Sequence, residues 1–319
     1  MEFVYIVLGL VILVVGGEFL LKGAVSMSLK LSIPKAVIGM TVVSFATSAP
    51  ELIVSVQSAL NDHADIALGN VVGSNIANLG FVLGITLLLT RLEIGKSFAR
   101  IDWPVMMLAS VMLFLFIYFD GLLDQYEGSI LFLMLILYLF LYLKYYKRSK
   151  LYALDHLSDE EEEVDLDIGK SWAWTLFFLS LGGLGLWAGS ELLISGSVDL
   201  AVKFGVSERV IGITIVSIGT SIPELAASVI AVMRKEKAIS LGNLIGSNIF
   251  NIFAVLGLTS MITPIRVGDT HLLSNDLIWM LGFALAILPL IYAPNRRSLA
   301  WKEGLILLGA YVIFIFSTI

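Results

Sequence analysis

The sequence predicts an all-α polytopic membrane protein of ten transmembrane helices, arranged as two inverted-topology five-helix repeats. Three observations carry that expectation. The 319-residue chain is 58% hydrophobic and only 14% charged, with mean hydropathy +0.94, whereas an ordinary soluble domain carries about 25% charged residues. Its apolar runs are continuous rather than alternating, which selects helices over a barrel. A shift of 173 residues lays Glu18–Gly84 on Glu191–Gly257 without a gap, with about 30 of roughly 67 positions identical.

A helix needs about 20 mostly apolar residues to cross the hydrocarbon core. Ten runs qualify: 3–22, 36–60, 66–90, 102–119, 127–146, 172–194, 208–233, 238–263, 275–294 and 301–318. The first starts almost at Met1 with no basic flank and no small-residue cleavage site, so it reads as a retained helix. Trp103, Trp172 and Trp174 stand at expected span ends, as interface anchors do. The domain plan is a first repeat at 1–146, an acidic linker at 147–171 and a second repeat at 172–319, together one transmembrane domain. Five spans per half give the halves opposite orientations, the inverted-repeat plan of secondary transporters, whose site lies near the midplane at broken helices.

Loop charge sets the orientation. With the N-terminus outside, 17 of the 20 basic residues fall on the cytoplasmic side, leaving Lys203, Arg209 and Arg266 outside. Both termini are then extracellular and the linker is cytoplasmic. Its run "SDEEEEVDLD" reads as a solvated, flexible stretch too short for a folded regulatory domain.

Composition also excludes chemistries. With no cysteine there is no disulfide, thiolate metal site or thiol nucleophile. The three histidines, His63, His156 and His271, all fall in polar connectors. The net charge of −6 argues against a nucleic-acid partner, and no G-x-x-x-x-G-K-[ST] loop is present for a nucleotide. No catalytic residues and no cofactor are expected, and the chain reads as a monomer in the bilayer.

The chemistry sits in "SFATSAPEL" (Ser44–Leu52) and its copy "SIGTSIPEL" (Ser217–Leu225), each inside an apolar run. Ser44, Ser48, Glu51 and Ser55 share one helical face, as do Ser217, Ser221, Glu224 and Ser228, with Thr47 and Thr220 flanking. Pro50 and Pro223 lack an N–H, so the carbonyls of Ala46 and Gly219 lose their helical partners and become candidate ion ligands. A second block adds Asn70, Ser74 and Asn78, matched by Asn243, Ser247 and Asn251, with the small-residue pairs Gly69/Gly73 and Gly242/Gly246 for close helix approach. Ser55 and Ser228 read more simply as packing hydroxyls, while Asn70 and Asn243 read equally as caps, interhelical bonds or ligands. Glu18 and Glu191 are duplicated near helix ends, where packing and a gate-lining role both remain open. For Glu51 and Glu224 a purely structural role is weak, because a buried carboxylate without a basic partner is costly. The oxygen-only set suits hard cations such as Ca²⁺. Two facing carboxylates repel unless a cation or proton lies between them, and exclusive occupancy of one such site by Ca²⁺ or by Na⁺ or H⁺ is the physical basis of exchange.

At "TSAPE" (Thr47–Glu51) and "TSIPE" (Thr220–Glu224), with "GNVVGSNIAN" (Gly69–Asn78) and "GNLIGSNIFN" (Gly242–Asn251), the chain resembles the cation/calcium exchanger superfamily, most closely its prokaryotic sodium/calcium exchanger branch. The resemblance covers both halves. It implies Ca²⁺ ligands at Thr47, Glu51, Thr220 and Glu224. It implies Na⁺ ligands at Ser44, Ser48, Glu51, Ser74, Ser217, Ser221, Glu224 and Ser247, with Asn78 and Asn251 lining the site. It also implies alternating access by sliding of the first helix of each half. The "TSxPE" form, in place of the "GNxxE" of proton-coupled relatives, favours Na⁺; asparagine at 251, where K⁺-dependent relatives carry aspartate, implies K⁺ independence. The expected function is Na⁺/Ca²⁺ antiport, electrogenic at 3:1, with H⁺/Ca²⁺ antiport and a passive cation channel as the alternatives.

Overall fold

The computed structural model describes residues 2–95, 97–148, 171–204, 217–268, 271–292 and 297–318. In chain order the helices are α1 (Glu2–Leu31), α2 (Lys35–Thr47), α3 (Ala49–Leu60), α4 (Ala64–Leu89), α5 (Phe98–Asp120) and α6 (Gln125–Arg148). The second half holds α7 (Trp172–Lys203), α8 (Ser217–Gly219), α9 (Ile222–Met233), α10 (Lys237–Ile262), α11 (Leu272–Tyr292) and α12 (Trp301–Thr318). The chain is an all-α polytopic membrane protein. Among the described residues eight helices are long and apolar enough to cross a membrane, and nine if α2 and α3 form one bent span. Of the expected span at 208–233, only the part from Ser217 is described, as α8 and α9. Residues 149–170, most of the expected acidic linker, lie outside the described residues, as do 205–216.

α4 and α10 form the centre. Within their membrane windows 78% and 83% of residues are buried, against 22–33% for the other six spans. Their repeat-related sequences carry the Gly/Ser/Asn blocks, so the polar motif is sealed in protein rather than exposed to lipid.

The first helix of each half runs well past its expected end, to 30 residues in α1 and 32 in α7. At ~1.5 Å per residue such helices exceed a hydrocarbon core of about 30 Å, so they tilt or project beyond it. Lys22 and Lys30, in the C-terminal part of α1, are accommodated within the helix with their ammonium groups over aromatic rings. Lys22 Nζ is 5.9 Å from the Phe19 ring centre and Lys30 Nζ 5.5 Å from that of Trp172. α1 and α7 pack backbone to backbone through glycine. A Cβ on Gly16 would fall 2.8 Å from the Gly185 backbone carbon, and one on Gly189 2.8 Å from the Leu13 nitrogen.

Four two-residue strands tie the halves together: β1 (Leu92–Glu93), β2 (Leu122–Leu123), β3 (Ile265–Arg266) and β4 (Ser298–Leu299). β1 pairs antiparallel with β4, and β2 with β3. β3 falls where the 173-residue shift carries β1, so each ladder joins a first-half strand to a second-half strand in exchanged positions.

Candidate cation-binding site

Both glutamates are placed by a broken helix. α2 contains a π-helical turn at Gly39–Val43 and ends at Thr47. Ser48 leaves helical geometry (φ −85°, ψ 3°), and α3 departs at 42° with Pro50 in its first turn. The copy repeats this: Ser221 (φ −92°, ψ 5°) precedes α9, which has Pro223 in its first turn. Proline suits that place because the first-turn N–H groups have no intrahelical partner. Glu51 and Glu224 therefore lie in the first turns of α3 and α9, where the helix dipole favours negative charge. Both are fully buried.

The carboxylates lie close enough to repel one another. Ser48 Oγ donates to Glu224 Oε1 at 3.4 Å, and the hydroxyls of Thr47 and Ser247 also meet that carboxylate. Glu224 Oε2 has no partner among the described residues. Beyond its own backbone N–H, neither oxygen of Glu51 has one either. Among the described residues, Lys35 pairs with Glu236 at 3.0 Å and Arg234 with Glu18 at 2.7 Å, and neither pair involves these two acids.

The surrounding oxygens interlock across the halves in exchanged pairs. Thr47 Oγ1 lies 3.3 Å from Ser247 Oγ, and Ser74 Oγ lies 3.3 Å from Thr220 Oγ1. Asn70 Nδ2 donates to the Glu51 carbonyl at 3.3 Å and to Ser55 Oγ at 3.0 Å; Asn243 Nδ2 donates to the Glu224 carbonyl at 3.4 Å and to Ser228 Oγ at 3.1 Å. Asn70 and Asn243 are thus interhelical clasps on the helices that bear the glutamates, and Ser55 and Ser228 are the other half of each clasp. Close approach of α10 to α2 brings Ser247 to Thr47: a Cβ on Gly246 would lie 2.6 Å from the Met40 carbonyl oxygen.

Other residues singled out in the sequence stand as follows. Ser44 Oγ is turned to the Gly39 and Asn243 carbonyls, at 2.9 and 3.1 Å. The Ser221 hydroxyl and both side-chain amide atoms of Asn78 are buried with no partner among the described residues. Asn251 Nδ2 donates to Asn75 Oδ1 at 3.1 Å. The side chain of Ser217 lies outside the described residues. The Gly219 carbonyl, expected to be free, accepts from Ser190 Oγ of α7 at 3.0 Å; residue 17, the shift-related place of Ser190, is glycine and has no hydroxyl to offer. Glu18 is held by Arg234. Asn75 and Asn248, identical under the repeat shift, carry no other signal in the sequence that sets them apart. Asp102, buried and hydrogen-bonded to Tyr142, lies at the very start of an expected span, where the sequence does not distinguish it from a solvated helix-end acid.

Chemically this is a closed, oxygen-only cage with two carboxylates. Among the described residues there is no cluster of three or more His, Cys, Asp or Glu, so hydroxyl and amide oxygens would have to complete a coordination shell. A hard cation taking six to eight oxygens fits that donor set better than a metal preferring nitrogen or sulfur.

The profile of the family described as sodium/calcium exchanger protein matches residues 1–144 and 174–319. The chain belongs to that family. It is 36% identical over 310 residues to CaxA of Alkalimonas amylolytica, covering 97% of this chain and 96% of that one. It is 31% identical over 349 residues to the sodium/calcium exchanger MaX1 of Methanosarcina acetivorans, covering 98% and 97%. Its structure is similar to that of the sodium-calcium exchanger NCX_Mj soaked with Na⁺ and Ca²⁺, with TM-score 0.81, 26% identity, and 99% and 98% of the two chains covered. This exchanger-family chain thus shares its whole membrane unit with transporters, and its two glutamates lie at the heart of the matched segments.

Proposed function

We propose that this exchanger-family protein is a secondary antiporter trading Na⁺ for Ca²⁺ by alternating access, electrogenic at three Na⁺ per Ca²⁺, independent of K⁺ and without enzymatic activity. The observation that carries the reading is the pair Glu51 and Glu224, fully buried and without a basic partner among the described residues. A buried charge in that condition needs a counter-ion. One Ca²⁺ neutralises the pair. Three Na⁺ leave one positive charge, so a 3:1 cycle moves net charge. Asparagine at both 78 and 251 adds no third carboxylate for a further cation.

The proposed Ca²⁺ ligands are Thr47, Glu51, Thr220 and Glu224. Na⁺ would use Ser44, Ser48, Ser74, Ser217, Ser221 and Ser247 with the same glutamates, and Asn78 and Asn251 would line the site. The names of MaX1 and of NCX_Mj, the latter soaked with Na⁺ and Ca²⁺, support these ions.

We further propose ten crossings in two inverted halves, 1–146 and 172–319, forming one monomeric unit in the bilayer, with both termini outside and the 147–171 linker inside. The strand ladders support the count. Between β1 and β4 the chain passes α5, α6, α7, the 208–233 segment, α10 and α11. If that segment did not cross, the count would be odd and β1 and β4 would sit on opposite faces, about 30 Å of hydrocarbon apart. Their pairing needs an even number.

The test is Ca²⁺ uptake into proteoliposomes loaded with Na⁺, beside vesicles with no gradient and vesicles with a pH gradient alone. Uptake only with internal Na⁺ is expected. Uptake driven by pH alone would replace Na⁺ with H⁺ as the coupling ion, and uptake with neither gradient would make the protein a channel.

A further inference from the structure

One part of the buried polar network orients a side chain in only one of the two halves. Asn75 Nδ2 donates to the backbone carbonyl of Asn248 at 3.3 Å, and Asn251 Nδ2 donates to Asn75 Oδ1 at 3.1 Å. Asn75, Asn248 and Asn251 are all buried. A backbone carbonyl only accepts, so the direction of this relay does not depend on how either amide is drawn. Asn75 must turn its nitrogen to Asn248, its oxygen then faces Asn251, and Asn251 must answer with its own nitrogen. The Asn251 carbonyl oxygen is left on the far side of the amide, buried and without a partner among the described residues.

Asn251 follows Ser247 by four residues on α10, one turn along the face whose hydroxyl meets Thr47 and the Glu224 carboxylate. The shift-related residues behave differently. Asn248, the counterpart of Asn75, donates to Leu244 O of its own helix at 2.8 Å. Asn78, the counterpart of Asn251, has neither amide atom partnered among the described residues. Of the pair Asn78 and Asn251, only Asn251 is locked among the described residues.

We propose that Asn75 is a positioning residue for cation binding: it locks the Asn251 amide so that the carbonyl oxygen, and not the N–H₂, is presented to a cation held by Glu51 and Glu224. An unlatched amide would turn its hydrogens to the ion in part of the population, so the latch raises the fraction of binding-competent protein. The inference rests on the proposed site at Glu51 and Glu224, and it adds a residue that itself touches no ion.

The test is a double-mutant cycle read as binding. Ca²⁺ affinity of the purified full-length protein is taken from the Ca²⁺-dependent rise of its melting temperature, for wild type, Asn75→Leu, Asn251→Ala and the double variant. Leucine keeps the branched shape of Asn75 but is larger, so Asn75→Ala serves as a second variant at that position that adds no bulk. Each single change is expected to weaken Ca²⁺ binding about three- to tenfold, the range of one lost hydrogen bond, and the double variant to be no weaker than Asn251→Ala. Losses that multiply in the double variant would show Asn75 acting on packing alone and would overturn the proposal, as would an Asn251→Ala protein with unchanged affinity. Glu51→Gln in the same assay keeps the two readings apart: unchanged Ca²⁺ binding there would remove the site itself, whatever the 75–251 cycle returns.

Discussion

Glu224 is met by the hydroxyls of Thr47, Ser48 and Ser247, all from residues the repeat shift pairs with others, while Glu51 has only its own backbone N–H among the described residues. Two carboxylates in one cage therefore sit in unequal surroundings. Glutamine at either place keeps the shape and removes half of the negative charge. Glu51→Gln and Glu224→Gln are each expected to abolish Na⁺-driven Ca²⁺ uptake while leaving a monodisperse, helical protein; full uptake by either would show that the ions bind elsewhere. The clasps act on position, not charge. Asn70→Ala or Asn243→Ala removes the two clasp bonds to a glutamate-bearing helix, and at Asn243 also the bond its Oδ1 accepts from Thr47 at 3.1 Å, leaving a buried carbonyl less well satisfied, for about 1–3 kcal/mol of stability. Thermal melts of the two variants should both show losses, since the clasps are related by the repeat. A strong loss in one and none in the other would contradict that equivalence.

At the scale of elements, α1 and α7 touch so closely that side chains have no room between them. Gly16→Leu drives four carbons into the Gly185 backbone, and overpacking of this kind typically costs 1–3 kcal/mol or forces the helices apart. The expected result is a lower melting temperature and loss of transport, with Gly282→Leu as the control, since a Cβ there would meet nothing within 4 Å. An equal effect of both would deny the special role of the α1–α7 contact. This interface was not legible in the sequence, where Gly9, Gly16 and Gly23 lie in an ordinary apolar run. What was legible is what repeats: the spans, the broken helices at Ser48 and Ser221, and the paired Thr/Ser/Glu/Asn sets. What escaped is what does not repeat. Ser190 covers the Gly219 carbonyl because α7 has a serine where α1 has Gly17, and Asn75 is set apart from Asn248 only by three-dimensional contact. The true end of α1 was hidden for another reason: hydropathy falls at a lysine, but a long lysine can lie along an aromatic face while the backbone continues its helix.

For the molecule as a whole, the absence of cysteine makes its placement in the bilayer directly measurable. A single cysteine replacing Glu162 should react with an impermeant maleimide in inside-out vesicles and not in right-side-out ones, and one replacing Glu2 should show the reverse. The same label on both faces, or the opposite pattern, would reverse the proposed orientation. The two short ladders have a mechanical meaning at this scale. β1–β4 fastens the segment after α4 to the one before α12, and β2–β3 fastens the segment after α5 to the one after α10. In the proposed topology the two ladders lie at opposite membrane faces, and the helices they flank, α4, α5, α6, α10, α11 and α12, are expected to act as a stator. α1 and α7 carry no such fastening among the described residues and hold chiefly to each other and to the helices beside them. On the proposed transport cycle, the cage oxygens of α4 and α10 are expected to belong to the part that stands still, so that the ions need not be carried across the membrane: the openings would be brought to them.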